Sequence, residues 1–119
     1  MEVNKSTKPY DLEERTFLFA FNCRILVKLL PKSISNTEDS KQLIRSSGSI
    51  HANFIESVEA LSKKDSLYRL KICRKEAKES KLWIKLTQPN TNDQPEQMAL
   101  IQEASELTKI FSSIVEKVV

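Results

Sequence analysis

Hydrophobic residues in this chain recur at three- and four-residue spacing rather than in alternation, which is the period of helices that bury one face. Over residues 11–30, Leu12, Thr16, Phe19, Cys23, Leu26, Val27 and Leu30 fall on one side. A second apolar face gathers Leu18, Phe21, Ile25 and Leu29, so that only a narrow polar strip around Glu13, Arg24 and Lys28 remains. Glu13 and Glu14 suit the positive end of the helix dipole, and Pro31 stops the helix. A second helical pattern covers residues 37–61, with Thr37 ahead of Glu38 and Asp39 as its start. Its core stripe is Leu43, Ser47, Ile50, Phe54, Val58 and Leu61, widened by Ile44 and Ile55. Gly48 interrupts the composition but not the periodicity, and reads as an interior glycine that permits close helix contact.

Ser62, Lys63, Lys64 and Asp65 have the spacing of a capping box and open a third helix over residues 63–86. Ser66, Leu70, Cys73, Ala77, Ser80 and Ile84 give it a face of mostly small side chains, while Ile72 and Trp83 lie together on another. Residues 87–94, rich in Asn and Thr and containing Pro89, form a loop. Pro95 suits the first turn of a fourth helix over residues 95–117. There Leu100, Ala104, Leu107, Phe111, Ile114, Val115 and Val118 make one stripe, with Glu103, Glu106 and Lys109 outside it. Four segments, each about 30 Å long if helical, joined by short links predict an all-α, up-down-up-down antiparallel four-helix bundle in one domain.

Composition supports that reading: the 119 residues include one Gly and four Pro, too few for a turn-rich β fold. No apolar run reaches the ~18 residues of a membrane span, and residues 1–10 lack the apolar core of a signal peptide, so the expected location is cytoplasmic. Cys23 and Cys73 lack CxxC spacing and are expected to be buried reduced thiols. The single histidine, His51, stands on the edge of an apolar face with no Ser or Cys paired to it; it reads as packed at a helix seam or subunit contact, not as a base. Glu76 and Glu79 lack the Glu-x-x-His pattern of di-metal bundles, and are read as partners of Arg74, Lys75 or Lys78. No enzymatic activity, metal or cofactor is expected.

Charge placement is the feature that points to a function. Residues 63–85 hold nine basic residues (Lys63, Lys64, Arg69, Lys71, Arg74, Lys75, Lys78, Lys81, Lys85) against Asp65, Glu76 and Glu79, whereas the whole chain carries only +3. Lys71, Arg74, Lys75, Lys78 and Lys85 fall within a third of the helix circumference. Such a stripe attracts nucleic-acid phosphates by counterion release, with Lys63, Lys64, Arg69, Lys71, Arg74, Lys75 and Lys78 as candidate contacts and Arg45 as a further one. The plainer reading is a solvated lysine face. A protein-interaction scaffold without nucleic acid is the second functional reading. Helix one's surplus apolar face predicts a homo-oligomer, with Leu18, Phe21, Ile25 and Leu29 on one side of the contact and Ile72 and Trp83 on the other. The alternative is a monomer in which helix one is the most buried helix.

These residues resemble the bacterial 23S rRNA intervening-sequence protein family, also called four-helix bundle proteins, over residues 11–117. The likeness rests on DLEERT at 11–16 with Phe19 and Ala20, LPK at 30–32, QLIRS at 42–46, Ser49 with Ile50, and Ala52 with Asn53. It continues through SKKD at 62–65, KEA at 75–77 with Glu79, Trp83, and KIFSSI at 109–114. His51, where the family commonly has glycine, and Leu82, where an aromatic usually precedes the tryptophan, depart from it. The resemblance implies a non-enzymatic bundle that forms a homopentamer with a basic surface. It also implies a link to insertions in ribosomal RNA genes, or to retroelements whose reverse transcriptase and nucleic acid would be partners.

Overall fold

The computed structural model describes residues 11–118, and all regular structure among them is helical. The helices are α1 (Leu12–Leu29), α2 (Ile34–Val58), α3 (Lys63–Leu86) and α4 (Gln94–Val118), with a 3-10 turn at Thr91–Asp93 leading into the last. The expectations placed on residues 1–10 and on the Val118 side chain lie outside the described residues. Short links leave consecutive helices no choice but to run antiparallel. Accordingly α1 packs on α2, α2 on α3 and α3 on α4, and a thinner contact between α4 and α1 closes the up-down-up-down bundle.

The predicted stripes meet at its axis. Phe19, Cys23 and Leu26 of α1, Leu43 and Ile50 of α2, Cys73, Ala77 and Ile84 of α3, and Leu100, Ala104, Leu107 and Phe111 of α4 are all at most 1% exposed. Each large apolar side chain so buried contributes about 1.5–3 kcal/mol. One end of the bundle is tied by amides. Asn36 Nδ2 donates to the carbonyls of Pro31 (2.9 Å) and Gln88 (3.1 Å), and its Oδ1 accepts from the Gln88 amide at 2.8 Å. Gln97 Nε2 donates to the Thr87 carbonyl at 2.9 Å, so the loop after α3 is fixed from both neighbours.

Three sequence expectations are corrected. Helix α2 begins three residues before Thr37, because extended Ser33 accepts the Asn36 amide on its hydroxyl (3.0 Å) and serves as the N-cap. It also ends at Val58, since Ser62 must be extended to cap α3; Val58 (64% exposed) and Leu61 (99%) therefore leave the core stripe. Glu103, placed outside the fourth stripe, is buried. Its carboxylate accepts from Arg15 Nε (3.1 Å) and Nη2 (2.7 Å), and Glu106 accepts from the same Nη2 at 3.1 Å. Bonding to Glu103 raises the Arg15 pKa against the opposing effect of burial. Among the described residues no helix is long and apolar enough to cross a membrane.

Candidate nucleic-acid interface

Helix α3 begins where the Ser62 hydroxyl accepts the Asp65 amide at 3.1 Å, half of the expected capping box. Its small residues let α2 come close. Ser80 Oγ lies 2.8 Å from Ser46 Oγ, and the Cys73 thiol donates to the Ile50 carbonyl at 3.4 Å. Burial pushes the Cys73 thiol up to about 12 and raises that of Cys23 as well. Both cysteines are buried and free, as the absence of CxxC spacing led us to expect.

With Leu70, Cys73, Ala77, Ser80 and Ile84 turned inward, the rest of the circumference is left for charge. Lys63, Lys64, Lys71, Lys75, Lys78 and Lys85 are exposed, and Arg74 and Lys81 are half-buried. Glu76 and Glu79 were assigned to Arg74, Lys75 or Lys78, but Arg45 of α2 takes both. Its Nη1 donates to Glu76 Oε2 at 3.0 Å and its Nη2 to Glu79 Oε1 at 3.3 Å. Most of the expected partners stand one or two residues away on the same helix, where side chains do not face each other. Arg45 is therefore committed to an ion pair and is not one of the free cations. Arg69 also stands apart: it lies on the α2 side, where its guanidinium donates to Asn53 Oδ1 at 3.0 Å and sits 5.8 Å from the centre of the Tyr68 ring. Among the described residues, none of the exposed α3 lysines has a carboxylate within 4.0 Å.

The outward face also carries apolar groups that the sequence reading missed. Tyr68, Leu82 and Leu86 are 60%, 49% and 47% exposed. Leu82 and Leu86 stand four apart and out of phase with the core stripe, the signal that could have found them.

Of the residues assigned to a subunit contact, Leu18 and Ile25 are half-buried, Phe21 and Leu29 more exposed. Ile72 and Trp83 are half-buried, and Trp83 packs against the core. Phe17, which was not singled out, is more exposed than any of them and stacks on Phe21 with ring centres 6.3 Å apart. His51 sits at the α1–α2 seam as expected, its Nδ1 2.9 Å from Thr16 Oγ1 and its ring edge-on to Phe17.

Fold and face together define an antiparallel four-helix bundle protein that displays one strongly basic helix. Comparison with known proteins narrows the class. The chain belongs to the 23S rRNA-intervening sequence protein family, which matches residues 10–113. Among solved structures it is similar to a protein of unknown function from the S23 ribosomal protein family of Bacteroides thetaiotaomicron VPI-5482. The two share 29% identity and a TM-score of 0.76, over 91% of this chain and 97% of that one. No curated protein matches the chain.

Proposed function

We propose that the protein is a non-enzymatic nucleic-acid-binding bundle that works as a homo-oligomer and grips phosphates with the outward lysines of α3. One observation carries this reading: Glu76 and Glu79 of α3 turn toward α2 and are held by Arg45, while Lys71, Lys75, Lys78 and Lys85 are exposed and make no ion pair among the described residues. A face meant only for solubility gains from interspersed signs. Separated signs instead give a strip of unbalanced positive potential along about 20 Å of helix, the span of several phosphates. Lys63 and Lys64 extend it at the helix start, where the dipole disfavours cations and only Asp65 compensates. Several copies in one particle would multiply the strips, and membership in a family described by ribosomal RNA insertions is consistent with a nucleic-acid partner.

A second reading rests on Leu82, Leu86 and Tyr68, whose exposure on the same helix also suits a protein partner. A salt series separates the two. Binding through four phosphates should weaken with log salt at a slope of about −3 for single-stranded RNA and about −4 for duplex DNA. Absence of binding at low salt, or a flat slope, rejects the phosphate reading and leaves the protein-scaffold one.

A further inference from the structure

The outward face of α3 carries one aromatic ring, Tyr68, and it stands in line with the lysines. Lys64, Tyr68, Lys71, Lys75 and Lys78 follow one another at four- and three-residue spacing and so share one side of the helix. The four lysines are exposed, and Tyr68 is 60% exposed between them. Lys78 lies about 15 Å beyond Tyr68 along the helix axis.

The ring is braced from the α2 side. Arg69 holds its guanidinium over it, 5.8 Å from the centre, and Asn53 of α2 accepts from that guanidinium at 3.0 Å. The brace steadies Tyr68 yet leaves it mostly in solvent. Beside the ring a hollow of about 330 Å³ opens between the end of α2 and the start of α3, where Glu56, Glu59 and Asp65 join Tyr68 and Arg69. These three acids are exposed and make no ion pair among the described residues. Charge is therefore sorted about the ring, with carboxylates at the hollow and lysines before and after it on the helix.

A nucleotide is sorted in the same way. Its phosphate needs cations, whereas its base and sugar are uncharged, carry N–H and O–H donors, and offer a flat face that stacks on an aromatic ring. We infer that α3 binds single-stranded RNA, stacking one unpaired base on Tyr68 while Lys64 and Lys71 take the phosphates on either side and the strand continues over Lys75 and Lys78. A paired base is already stacked within its duplex and cannot reach the ring. The carboxylates of the hollow repel phosphate and accept from a ribose 2′-hydroxyl, the group that DNA lacks. Lysines alone do not choose among polyanions; the ring and the hollow do. The inference rests on the phosphate reading above and adds the form of nucleic acid, which that reading leaves open.

The test is titration of the whole chain at low salt with an unstructured single-stranded RNA, the DNA strand of the same sequence and a blunt RNA duplex of the same length. The single-stranded RNA should bind most tightly. Tyr68→Ala should weaken its binding about tenfold, and Tyr68→Phe, which keeps a ring, should bind nearly as wild type does. Since no phosphate contact is lost, Tyr68→Ala should keep the wild-type salt slope and its affinity for the duplex. Tyr68→Ala that binds the single strand like wild type, or that loses duplex binding to the same extent, overturns the stacking, as does a Tyr68→Phe variant as weak as Tyr68→Ala. A DNA strand bound as tightly as the RNA strand overturns the choice of RNA. If the wild-type chain binds none of the three, the phosphate reading fails and this inference falls with it. If replacing Lys71, Lys75 and Lys78 by Glu abolishes binding while Tyr68→Ala changes nothing, the stacking inference alone fails.

Discussion

Helices α1 and α3 stand diagonally across the bundle and solve opposite problems. Helix α3 is the more polar by far, yet it makes the bundle's closest seam: Ala77, Ser80 and Cys73 bury almost nothing bulky and let α2 approach to hydrogen-bonding distance. A narrow stripe of small residues holds the helix and frees the remaining circumference for lysine. Helix α1 is apolar nearly all round, yet it meets α4 through a thin contact whose polar centre is the buried Arg15, Glu103 and Glu106 cluster, and it leaves Phe17 and Phe21 in solvent. Mean hydropathy therefore says little about how tightly a helix is held. What a helix leaves uncovered says more about what it is for: on α3 it is charge, on α1 it is aromatic surface.

Breaking the α1 side should have the largest effect. Arg15→Ala strands the Glu103 carboxylate in the α1–α4 seam and is expected to cost about 3–5 kcal/mol in urea denaturation, whereas Arg15→Met with Glu103→Leu should come close to wild type. A small loss for the single variant would mean that α4 does not depend on this cluster. On the α3 side, Ala77→Leu forces bulk into the close seam and should cost about 1–3 kcal/mol, while the exposed Leu82→Ala should stay within about 0.5 kcal/mol. Equal costs for these two would contradict the narrow-stripe picture. The smallest effect belongs to the helix start, where Ser62→Ala removes the acceptor for the Asp65 amide and should cost about 1 kcal/mol in the same assay.

Most of this architecture could be read from periodicity, because each stripe is long and its phase is unambiguous. Helix ends were harder. Ser33 and Thr37 are both acceptable caps, and only the Asn36 ties to Pro31 and Gln88 favour the earlier start. The same competition at Ser62 shortens α2 and exposes Val58 and Leu61. At the candidate site, the lysine positions followed from helical spacing. The use of Arg45 by Glu76 and Glu79 did not, because a partner on another helix depends on register, which local patterns do not encode. Glu103 was misplaced for the same reason: a carboxylate beside an apolar stripe reads as exposed until its arginine arrives from α1. Phe17 escaped notice because an apolar residue on a helix that is apolar all round carries no phase information.

Replacing Lys71, Lys75 and Lys78 together by Glu tests the central claim most directly, by titration against single-stranded RNA and duplex DNA at low salt. All three side chains are exposed and make no ion pair among the described residues, so helical circular dichroism should be unchanged. The account predicts that binding falls by at least about a hundredfold, as expected when three phosphate contacts become repulsive. Wild-type affinity in a folded triple variant would show that the lysine face of α3 is not where nucleic acid binds.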